Sequence, residues 1–555
     1  MMHPHSSPIQ MERTVSQIHT EIVPGTKIMT DVQGSHFYTH NSASSIALVP
    51  QPTEDIHDPL NWSQFWKTII LINQGCFVIV SVVTALSVAP LTPIYMVEWK
   101  KSLTQVALLT GATVISLGYA NFIIIPCADI FGRRIVSIVC ALICLGANIW
   151  QASTQSYNSF LGARIFAGLG AAANESVMTV VVADIFFLHQ RGKYVGLYFC
   201  CYFMGLFLGP IISGSVAAQV SWRWFFWACT IAQGINLVTL LFLFPETRRA
   251  AKQLKPLKPQ AVPSDTNMNS NFEGNSEESP VYVGSAPPNL SVEEGIATDR
   301  CFGRGYPGKG HFNIFQSSNG KALTATILHI IIPVRLLFYP IVFWAAMTMG
   351  AAANALLVVN LIQSQALAAP PYNFNPASVG YANFALVVGG IIALVCAGPF
   401  SDFVAMRATK KNHGIREPEM RLPALTPFVA AALVGLVVVG VGFQKGWHWE
   451  AVVVIGFGLV GIQVVAIPTI AVTYAIDCYE PVAGQIMVIS TVCKNTFGFG
   501  MTYYINNWVV TDGFIPPLLL LMAMTVGFSL TGMVFFMFFG KGLRRRSRNS
   551  KVHSL

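Results

Sequence analysis

Twelve long apolar segments, separated by short polar ones, follow one another along most of the chain. Each segment is about as long as the ~20-residue helix that crosses a hydrocarbon layer. Each is also continuously apolar, whereas the strands of a membrane barrel alternate apolar and polar positions. The pattern predicts an all-α membrane protein with transmembrane helices at approximately 67–90, 105–128, 133–151, 158–183, 193–218, 224–245, 332–356, 377–400, 423–443, 450–475, 484–508 and 514–540.

The composition agrees with many spans rather than one large soluble core. Of the 555 residues, 53% are hydrophobic and 11% are charged, whereas soluble domains carry about 25% charged residues. The eleven cysteines lie mostly inside apolar runs, without the spacing of a zinc site or of a disulfide framework. They are interpreted as small buried apolar residues, and no metal site is expected.

Lysine and arginine are concentrated in alternate loops, and this asymmetry predicts the orientation of the helices. The even number of spans places both termini on the basic side, which is the cytosol. The polar N-terminal region lacks the apolar core of a signal peptide. The net charge of +9 is dispersed among short loops, so it is interpreted as a topology signal and not as a nucleic-acid-binding surface.

A polar region rich in Ser, Asn, Pro and Gly divides the spans six and six. It has almost nothing to bury, so it is expected to be a disordered cytosolic linker. The predicted organisation is a cytosolic tail (1–66), a six-helix half (67–246), the linker (247–325), a second six-helix half (326–540) and a basic cytosolic tail (541–555). Two similar halves are typical of secondary transporters.

Several motifs resemble those of a known family. They are "ADIFGRR" (128–134), "ARIFAGLGAAANES" (163–176), "GLFLGPIISG" (205–214), "WRWFFW" (222–227), "FPETR" (244–248) and "REPEMRLP" (416–423). In this order the chain is similar to the major facilitator superfamily, and within it to the drug:proton antiporter type common in fungi. It departs from the pattern at Pro126 and Ile125, where the leading glycine of the first motif is missing. It departs again at Ser213, where the closing glycine pair of the helix 5 motif usually begins.

The first motif contains a candidate cytosolic gate at the inner end of the second span. Asp129 is followed by Gly132, Arg133 and Arg134. A carboxylate at this position can pair with an arginine and accept N–H bonds from a neighbouring helix N-terminus. "GPFSDFVAMR" (398–407) places Asp402 at the equivalent point of the second half. The alternative is that the arginines only set topology.

The fifth predicted span contains a candidate hinge. Gly205, Gly209 and Gly214 are spaced along one side of it, and Pro210 removes a backbone donor in mid-helix. Small residues allow helices to approach closely in lipid, and proline kinks a helix. A hinge between the halves and ordinary tight packing both remain possible.

An ionisable residue lies deep in the fourth predicted span. Glu175 follows Arg164 by eleven positions, which places both on one helix face about 16 Å apart. Such residues usually face a cavity and mark an ion or substrate path. Glu175 is therefore the candidate proton-coupling residue, with Asn174 and Arg164 beside it. The alternative is a glutamate that pairs structurally with a neighbouring helix.

Polar and aromatic residues near the middle of other spans are candidates for a substrate cavity. Lys494 and Asn495 lie in the eleventh span. The lysine could balance a carboxylate across the cavity or interact with an anionic substrate. The alternatives are that it extends to the inner interface, or that it pairs structurally with Asp477. An aromatic-rich cavity would suit an amphipathic organic molecule or a cation. The remaining candidates are Asn73, Gln74, Tyr339, Phe343, Trp344, Asn383 and Gln463.

Signals for other chemistry are absent from the sequence. There is no Walker A pattern and no H-E-x-x-H motif, so neither ATP-driven pumping nor catalysis is expected, and no cofactor. The resemblance implies a monomeric, proton-driven transporter of the plasma membrane that exports a small organic compound, such as a drug, toxin or secondary metabolite. The alternatives are proton-coupled uptake of organic cations such as polyamines, and a membrane sensor that transports nothing.

Overall fold

The computed structural model describes residues 25–28, 55–248, 303–313, 331–412, 415–479 and 482–547. Six long helices form the first half. They are α1 (Gln64–Val83), α2 (Leu103–Phe131), α3 (Arg133–Ser153), α4 in two segments (Tyr157–Ala171 and Ala173–Ile185), α5 (Leu188–Gln219) and α6 (Trp222–Leu243). A short helix, Thr92–Trp99, lies between α1 and α2.

Six further helices form the second half. They are α7 (Pro340–Leu367), α8 in two segments (Pro376–Tyr381 and Asn383–Lys411), α9 (Thr426–Lys445), α10 (a π-helix Ala451–Phe457 continued by Gly458–Cys478), α11 (Ala483–Asp512) and α12 (Ile515–Ser547). A two-stranded antiparallel sheet pairs β1 (Lys27–Ile28) with β2 (Ile415–Arg416).

Within the described residues, eleven helices are long and apolar enough to cross a membrane, by length and composition. The twelfth is α11, a 30-residue helix that contains Lys494 and packs between α2 and α7. The predicted all-helical fold of twelve spans is thereby confirmed. The largest displacement is at α7, predicted at 332–356, because the chain turns just before Pro340, which begins the helix.

Residues 25–28, 303–313, the α2–α3 turn and the end of α12 lie on one face of the bundle, here called the terminal face. Lys27 pairs with Arg416, and the hydroxyl of Thr26 lies 3.3 Å from Nη1 of Arg544 on α12. On the other, opposite face the two halves approach closely. There, the Thr104 hydroxyl on α2 lies 2.6 Å from Oδ1 of Asn507 on α11.

The α2–α11 contact continues inward through small residues. A Cβ atom at Gly111 would lie 2.3 Å from the Thr502 hydroxyl, and one at Gly118 would lie 2.7 Å from Cβ of Asn495. Helices α5 and α8 approach each other in the same way near the opposite face. A Cβ atom at Gly214 would lie 2.4 Å from the carbonyl oxygen of Pro376. The halves are therefore packed together on the side away from the termini.

Part of the predicted disordered linker is folded. Residues 303–313, here called the clasp, form a parallel bridge in which the Gly305 N–H donates to Asn61 O and Gly305 O accepts from the Ser63 N–H, at 2.9 and 2.8 Å. The Glu246 N–H, just after α6, donates to His311 O at 2.8 Å. The structure therefore differs from the prediction here, and 249–302 and 314–325 lie outside the described residues.

Candidate functional site

A charge pair joins the two halves at the centre of the bundle. Glu175, in the second segment of α4, has 3% of its side chain exposed, and Lys494 on α11 has 9%. The Lys494 Nζ lies 2.5 Å from Oε1 of Glu175. A buried ion pair is stable only when further hydrogen bonds satisfy its remaining polar atoms.

Two neighbours supply those hydrogen bonds. The Tyr202 hydroxyl on α5 donates to Oε1 of Glu175 at 2.6 Å and accepts from Nζ of Lys494 at 3.1 Å. The Asn495 amide donates to Oε2 of Glu175 at 3.4 Å. Nζ of Lys494 also lies 5.0 Å from the centroid of the Tyr202 ring, within the range of a cation–π contact. Tyr202 was missed in the sequence because an aromatic residue in an apolar helix gives no signal of its orientation.

An irregular turn of α4 at Ala172 precedes the glutamate. The first segment ends at Ala171, and Glu175 lies in the first turn of the second segment. A carboxylate in the first turn of a helix is favoured by the helix dipole. The small residues before this turn allow close packing, since a Cβ atom at Gly168 would lie 2.4 Å from Thr113 O on α2. Between Arg164 and Glu175 the helix has one irregular turn at Ala172, whose backbone keeps right-handed helical angles, φ −63° and ψ −28°.

The charge pair lines a central cavity between the halves. Its volume of about 70 Å³ is enough for a few water molecules and small for an organic ligand. The cavity must therefore widen to admit an organic molecule. Its walls are mainly apolar and aromatic, with Tyr198, Phe199, Tyr202, Phe203, Met349, Met487, Thr113, Asn354 and Thr491 among the lining residues.

Two of the nine predicted cavity residues, Lys494 and Asn495, line this cavity. The other seven are placed elsewhere. Gln74 donates from α1 to the Ser137 hydroxyl on α3 at 3.4 Å, and the carbonyl of Asn73 accepts from Asn236 on α6 at 3.3 Å. Gln74 therefore faces α3 in the interior of the first half, the bond of Asn73 is to its backbone carbonyl, and neither residue lines the cavity.

The five remaining candidates, in the second half, also lie outside the cavity lining. The Trp344 indole donates to Phe528 O on α12 at 2.7 Å, and Gln463 donates to Ala352 O at 3.3 Å. Phe343 is 46% exposed on the outside of the bundle. Tyr339 packs its ring against Tyr479, and Asn383 forms a closed ring of amide hydrogen bonds with Asn360 and Gln363. In a soluble protein the polar face of a helix marks its outer side. A helix in lipid is apolar on its outer side too, so the sequence does not show which residues face the cavity.

Arg164 does not join Glu175. Its side chain is fully buried and donates to three backbone carbonyls, Leu109 O at 3.1 Å, Thr84 O at 2.6 Å and Ala85 O at 2.7 Å. Two of these carbonyls follow the end of α1, which has no intrahelical donors left for them. Arg164 therefore caps α1, while Asn174 donates to the Ser81 hydroxyl on the same helix.

The gate residues of the first half form a network on the terminal face. Nη1 of Arg133 lies 3.2 Å from Asp129, and Nε lies 3.1 Å from Asp184 at the end of α4. Glu246 accepts the N–H groups of Arg133 and Arg134 at 3.0 and 3.1 Å, so its carboxylate caps the N-terminus of α3. The sequence did not single out Asp184 or Glu246.

Asp184 is affected by burial in this network, and Gly132 by its close approach to Glu246. Burial raises the pKa of Asp184 to about 6, against the opposing effect of the Arg133 charge. Gly132 has φ of +102°, and a Cβ atom there would lie 2.2 Å from Glu246 Oε2. The α2–α3 turn thus requires glycine.

The second half carries a separate network on the same face. Asp402 lies 3.2 Å from Nη2 of Arg421 and 3.8 Å from that of Arg416. Asp477 lies 3.4 Å from the same Arg421 guanidinium, so its observed partner is Arg421 and not Lys494. Each of these ion pairs lies within one half, whereas Glu175–Lys494 crosses between them.

The glycines of α5 have two different neighbours. Cβ atoms at Gly205 and Gly209 would lie 2.9 Å from Ile79 O and 2.1 Å from Val83 O of α1, in the same half. Gly214 instead contacts α8 of the second half, and the carbonyl of Pro210 lies 2.6 Å from the Cβ position of Gly380. The pair Gly205 and Gly209 therefore serves packing inside the first half, and the end of α5 forms the inter-half contact.

A family model described as Major Facilitator Superfamily matches residues 75–501. An uncharacterized MFS-type transporter of Schizosaccharomyces pombe is 27% identical, over 89% of this chain and 88% of that protein. Protein HOL1 of Saccharomyces cerevisiae is 25% identical, over 96% and 97%. A probable drug/proton antiporter of Saccharomyces cerevisiae, YHK8, is 24% identical over 75% and 74%.

Solved structures share the fold. The partially occluded inward open conformation of the xylose transporter XylE from E. coli superposes with a TM-score of 0.53 at 10% identity, covering 85% of this chain and 99% of that one. A second structure of XylE, described as a proton:xylose symporter, gives a TM-score of 0.54 at 13% identity, over 85% and 95%.

Proposed function

The chain belongs to the major facilitator superfamily, and from that premise we propose that it is a proton-coupled transporter that works by alternating access. We propose further that it exports a small organic compound in exchange for protons. The observation that carries the proposal is the buried Glu175–Lys494 pair, which joins the two halves inside the central cavity.

Protonation of Glu175 is the proposed coupling step. A proton on its carboxylate removes the charge that Lys494 pairs with, and with it most of the attraction between α4 and α11 at this point. Deprotonation restores the pair. Because the residues belong to different halves, the protonation state of Glu175 changes the free energy of opening the cavity, as a coupling site must.

Two further observations support an organic substrate and its export. The cavity walls carry four aromatic side chains, from Tyr198 to Phe203 on α5, which suit an amphipathic molecule. Relatives are named as a probable drug/proton antiporter and a probable efflux pump. The uptake of organic cations such as polyamines is the second candidate, favoured by the ammonium group that the site already holds against a carboxylate and an aromatic ring.

The orientation follows from the charge on the terminal face. Arg133, Arg134, Arg416 and Arg421 lie in its two networks, and basic residues prefer the cytosolic side. This distribution supports the proposal that both termini lie in the cytosol, with the plasma membrane as the proposed location. In this orientation the face where α2 packs against α11 and α5 against α8 is the outer one, so the halves are closed towards the outside.

The test is transport in sealed proteoliposomes with an imposed pH gradient. Candidate organic cations and amphipathic drugs are offered in turn to the parent, to Glu175→Gln and to Glu450→Gln. Glu450 is 62% exposed beside His448, far from the cavity, and serves as a matched control. We expect the gradient to drive accumulation in the parent and in the control, whereas Glu175→Gln supports only downhill flux.

Accumulation by Glu175→Gln equal to that of the parent would contradict the proposal. Glu175 would then be a structural partner of Lys494, and the proton site would have to be sought at Asp129 or Asp477. The direction of accumulation relative to the pH gradient separates export from uptake.

A further inference from the structure

We propose that Lys494 is a built-in cation that occupies the place of a transported ammonium group, so that the ligand of the central site is an organic ammonium ion. The inference rests on the proposed transport function. It selects the cationic class among the candidate substrates and adds a specific role for one residue. It starts from what surrounds the lysine nitrogen.

The surroundings of Nζ are those of a bound ammonium ligand. A carboxylate oxygen of Glu175 lies at 2.5 Å, the Tyr202 hydroxyl oxygen at 3.1 Å, and the Tyr202 ring centroid at 5.0 Å. Protein sites for alkylammonium ions combine a negative charge with aromatic faces in this way. The difference here is that the cation is tethered to α11.

The lysine backbone is held so that the side chain projects across the interface. The Asn354 amide on α7 donates to Lys494 O at 3.1 Å, and a Cβ atom at Gly350 would lie 3.7 Å from Cα of Lys494. Only the four-carbon stem and the ammonium group are therefore free to leave the site. When they leave, the space they vacate adds to a cavity of about 70 Å³.

Charge balance makes Lys494 and the ligand competitors. Among the described residues that line the cavity, Glu175 is the one carboxylate and Lys494 the one cation. A second cation beside Lys494 would leave the buried site with an uncompensated positive charge, which is costly. An ammonium ligand can therefore bind Glu175 only as Lys494 withdraws.

An anionic ligand fits the walls less well. It would have to share the cavity with the Glu175 carboxylate, and it would face the rings of Tyr198, Phe199 and Phe203. The faces of aromatic rings are negative and attract cations rather than anions. The experiment below therefore includes an anionic probe, and binding of that probe is one of its outcomes.

The test uses n-butylammonium, which reproduces the lysine stem and its charge, on the purified full-length protein in detergent. The variants are Lys494→Ala, Lys494→Met and Glu175→Gln/Lys494→Met, compared with the parent. The thermal unfolding midpoint is recorded against the concentration of n-butylammonium chloride, with n-butanol and sodium n-butyrate as matched probes. No proton gradient is needed, so a failure of proton coupling leaves this test intact.

We expect n-butylammonium to stabilise Lys494→Ala saturably, with half-saturation at a concentration about tenfold or more below that of the parent, because the tethered competitor is gone. The double variant, which lacks the carboxylate, should show no such response. Neither n-butanol nor n-butyrate should reproduce it. Stabilisation by n-butanol alone would reduce the effect to cavity filling, and stabilisation by n-butyrate would make the site anion-binding; either would overturn the proposal.

Removal of Lys494 leaves a buried carboxylate unpaired, so a single variant could fail to fold. The double variant carries neither charge and removes that risk. The comparison of parent and double variant then decides. Saturable stabilisation of the parent by n-butylammonium but not of the double variant supports the proposal, and equal responses contradict it.

Discussion

Glu175 and Lys494 illustrate how far single residues can be interpreted from sequence. An ionisable residue inside an apolar span is conspicuous because of its desolvation cost, and both residues were singled out for that reason. A carboxylate partner across the cavity was one interpretation of Lys494, but the sequence did not identify Glu175 as that partner. The two residues lie 319 positions apart, and a contact of that separation depends on how the two halves pack. Asp477, the nearer acidic candidate for Lys494, is bound by Arg421 instead.

Arg164 was assigned to the proton path, and its contacts give it a structural role. We predict that Arg164→Met lowers the free energy of unfolding by on the order of 3 kcal/mol, because three buried carbonyls lose a charged donor. The pH dependence of transport by the surviving protein should be unchanged. Thermal unfolding of the detergent-solubilised variant measures the first effect.

Normal stability with loss of proton coupling would instead support the assignment of Arg164 to the proton path. If Arg164→Met unfolds at the parent temperature but loses proton coupling, the guanidinium acts on the proton and not on the end of α1. Arg223→Met is the matched control, since Arg223 forms an ion pair with Glu98 that is about one-third exposed and contributes little to stability.

Asp184 makes a pH-dependent contribution to stability. Its pKa is raised to about 6 in the folded protein, above the value of about 3.9 of an unfolded chain. The folded state therefore binds this proton more tightly, and its contribution to stability falls as the pH rises from about 4 to about 6. Asp184 lies beyond Val182, the end of the membrane-spanning stretch.

We predict that Asp184→Asn removes this contribution, which is on the order of 3 kcal/mol across the interval. Unfolding midpoints of parent and variant are measured from about pH 3 to about pH 8, an interval that includes both pKa values. The midpoints should coincide below about pH 4, separate between about pH 4 and about pH 6, and stay apart above that, with the variant more stable. Parallel pH profiles would show that Asp184 does not titrate in this range.

At the scale of elements, hydropathy located the helices but not their interruptions. The irregular turn of α4 at Ala172 has no proline and no glycine at the turn itself, so no local signal marks it. The clasp was hidden for a different reason. Its composition, "GRGYPGKGHFN", is that of a flexible segment, and its order comes from contacts with Asn61, Ser63 and Glu246 that are remote in sequence.

The clasp can be tested at one glycine. A Cβ atom at Gly305 would lie 2.4 Å from Ile56 O and 2.8 Å from Asn61 O, and these are backbone atoms that cannot move aside cheaply. We predict that Gly305→Ala detaches the clasp, so that trypsin cleaves after Lys309 several-fold faster than in the parent, because local opening limits such cleavage.

Gly310→Ala is the matched control, since nothing lies within 4 Å of its Cβ position. Its cleavage rate should equal that of the parent. Equal rates for all three proteins would show that the clasp is already open in solution.

At the scale of the whole molecule, the two halves are linked differently at different depths. Near the opposite face they meet through close backbone contacts such as Gly214 with Pro376. At the centre they meet through Glu175 and Lys494. The ion-pair networks of Asp129 and Asp402 each stay within one half. A proton that acts on the central pair is therefore well placed to control how the halves move.

The fold of the whole molecule was predictable because span number depends on local hydropathy. The cavity was not, because a helix that is apolar all round does not reveal which side faces the interior. Seven of the nine cavity candidates pointed elsewhere, while the aromatic residues of α5 that do line the cavity, such as Phe199, were not singled out.

The most direct test of the account is the movement of protons during transport. Proteoliposomes with a pH-sensitive dye inside are given a gradient of a transported compound and no pH gradient, and internal pH is followed for the parent and for Glu175→Gln. We predict that the parent moves protons opposite to the substrate, and that Glu175→Gln passes substrate with no proton flux. Proton flux in Glu175→Gln equal to that of the parent would contradict the assignment of Glu175 as the coupling residue.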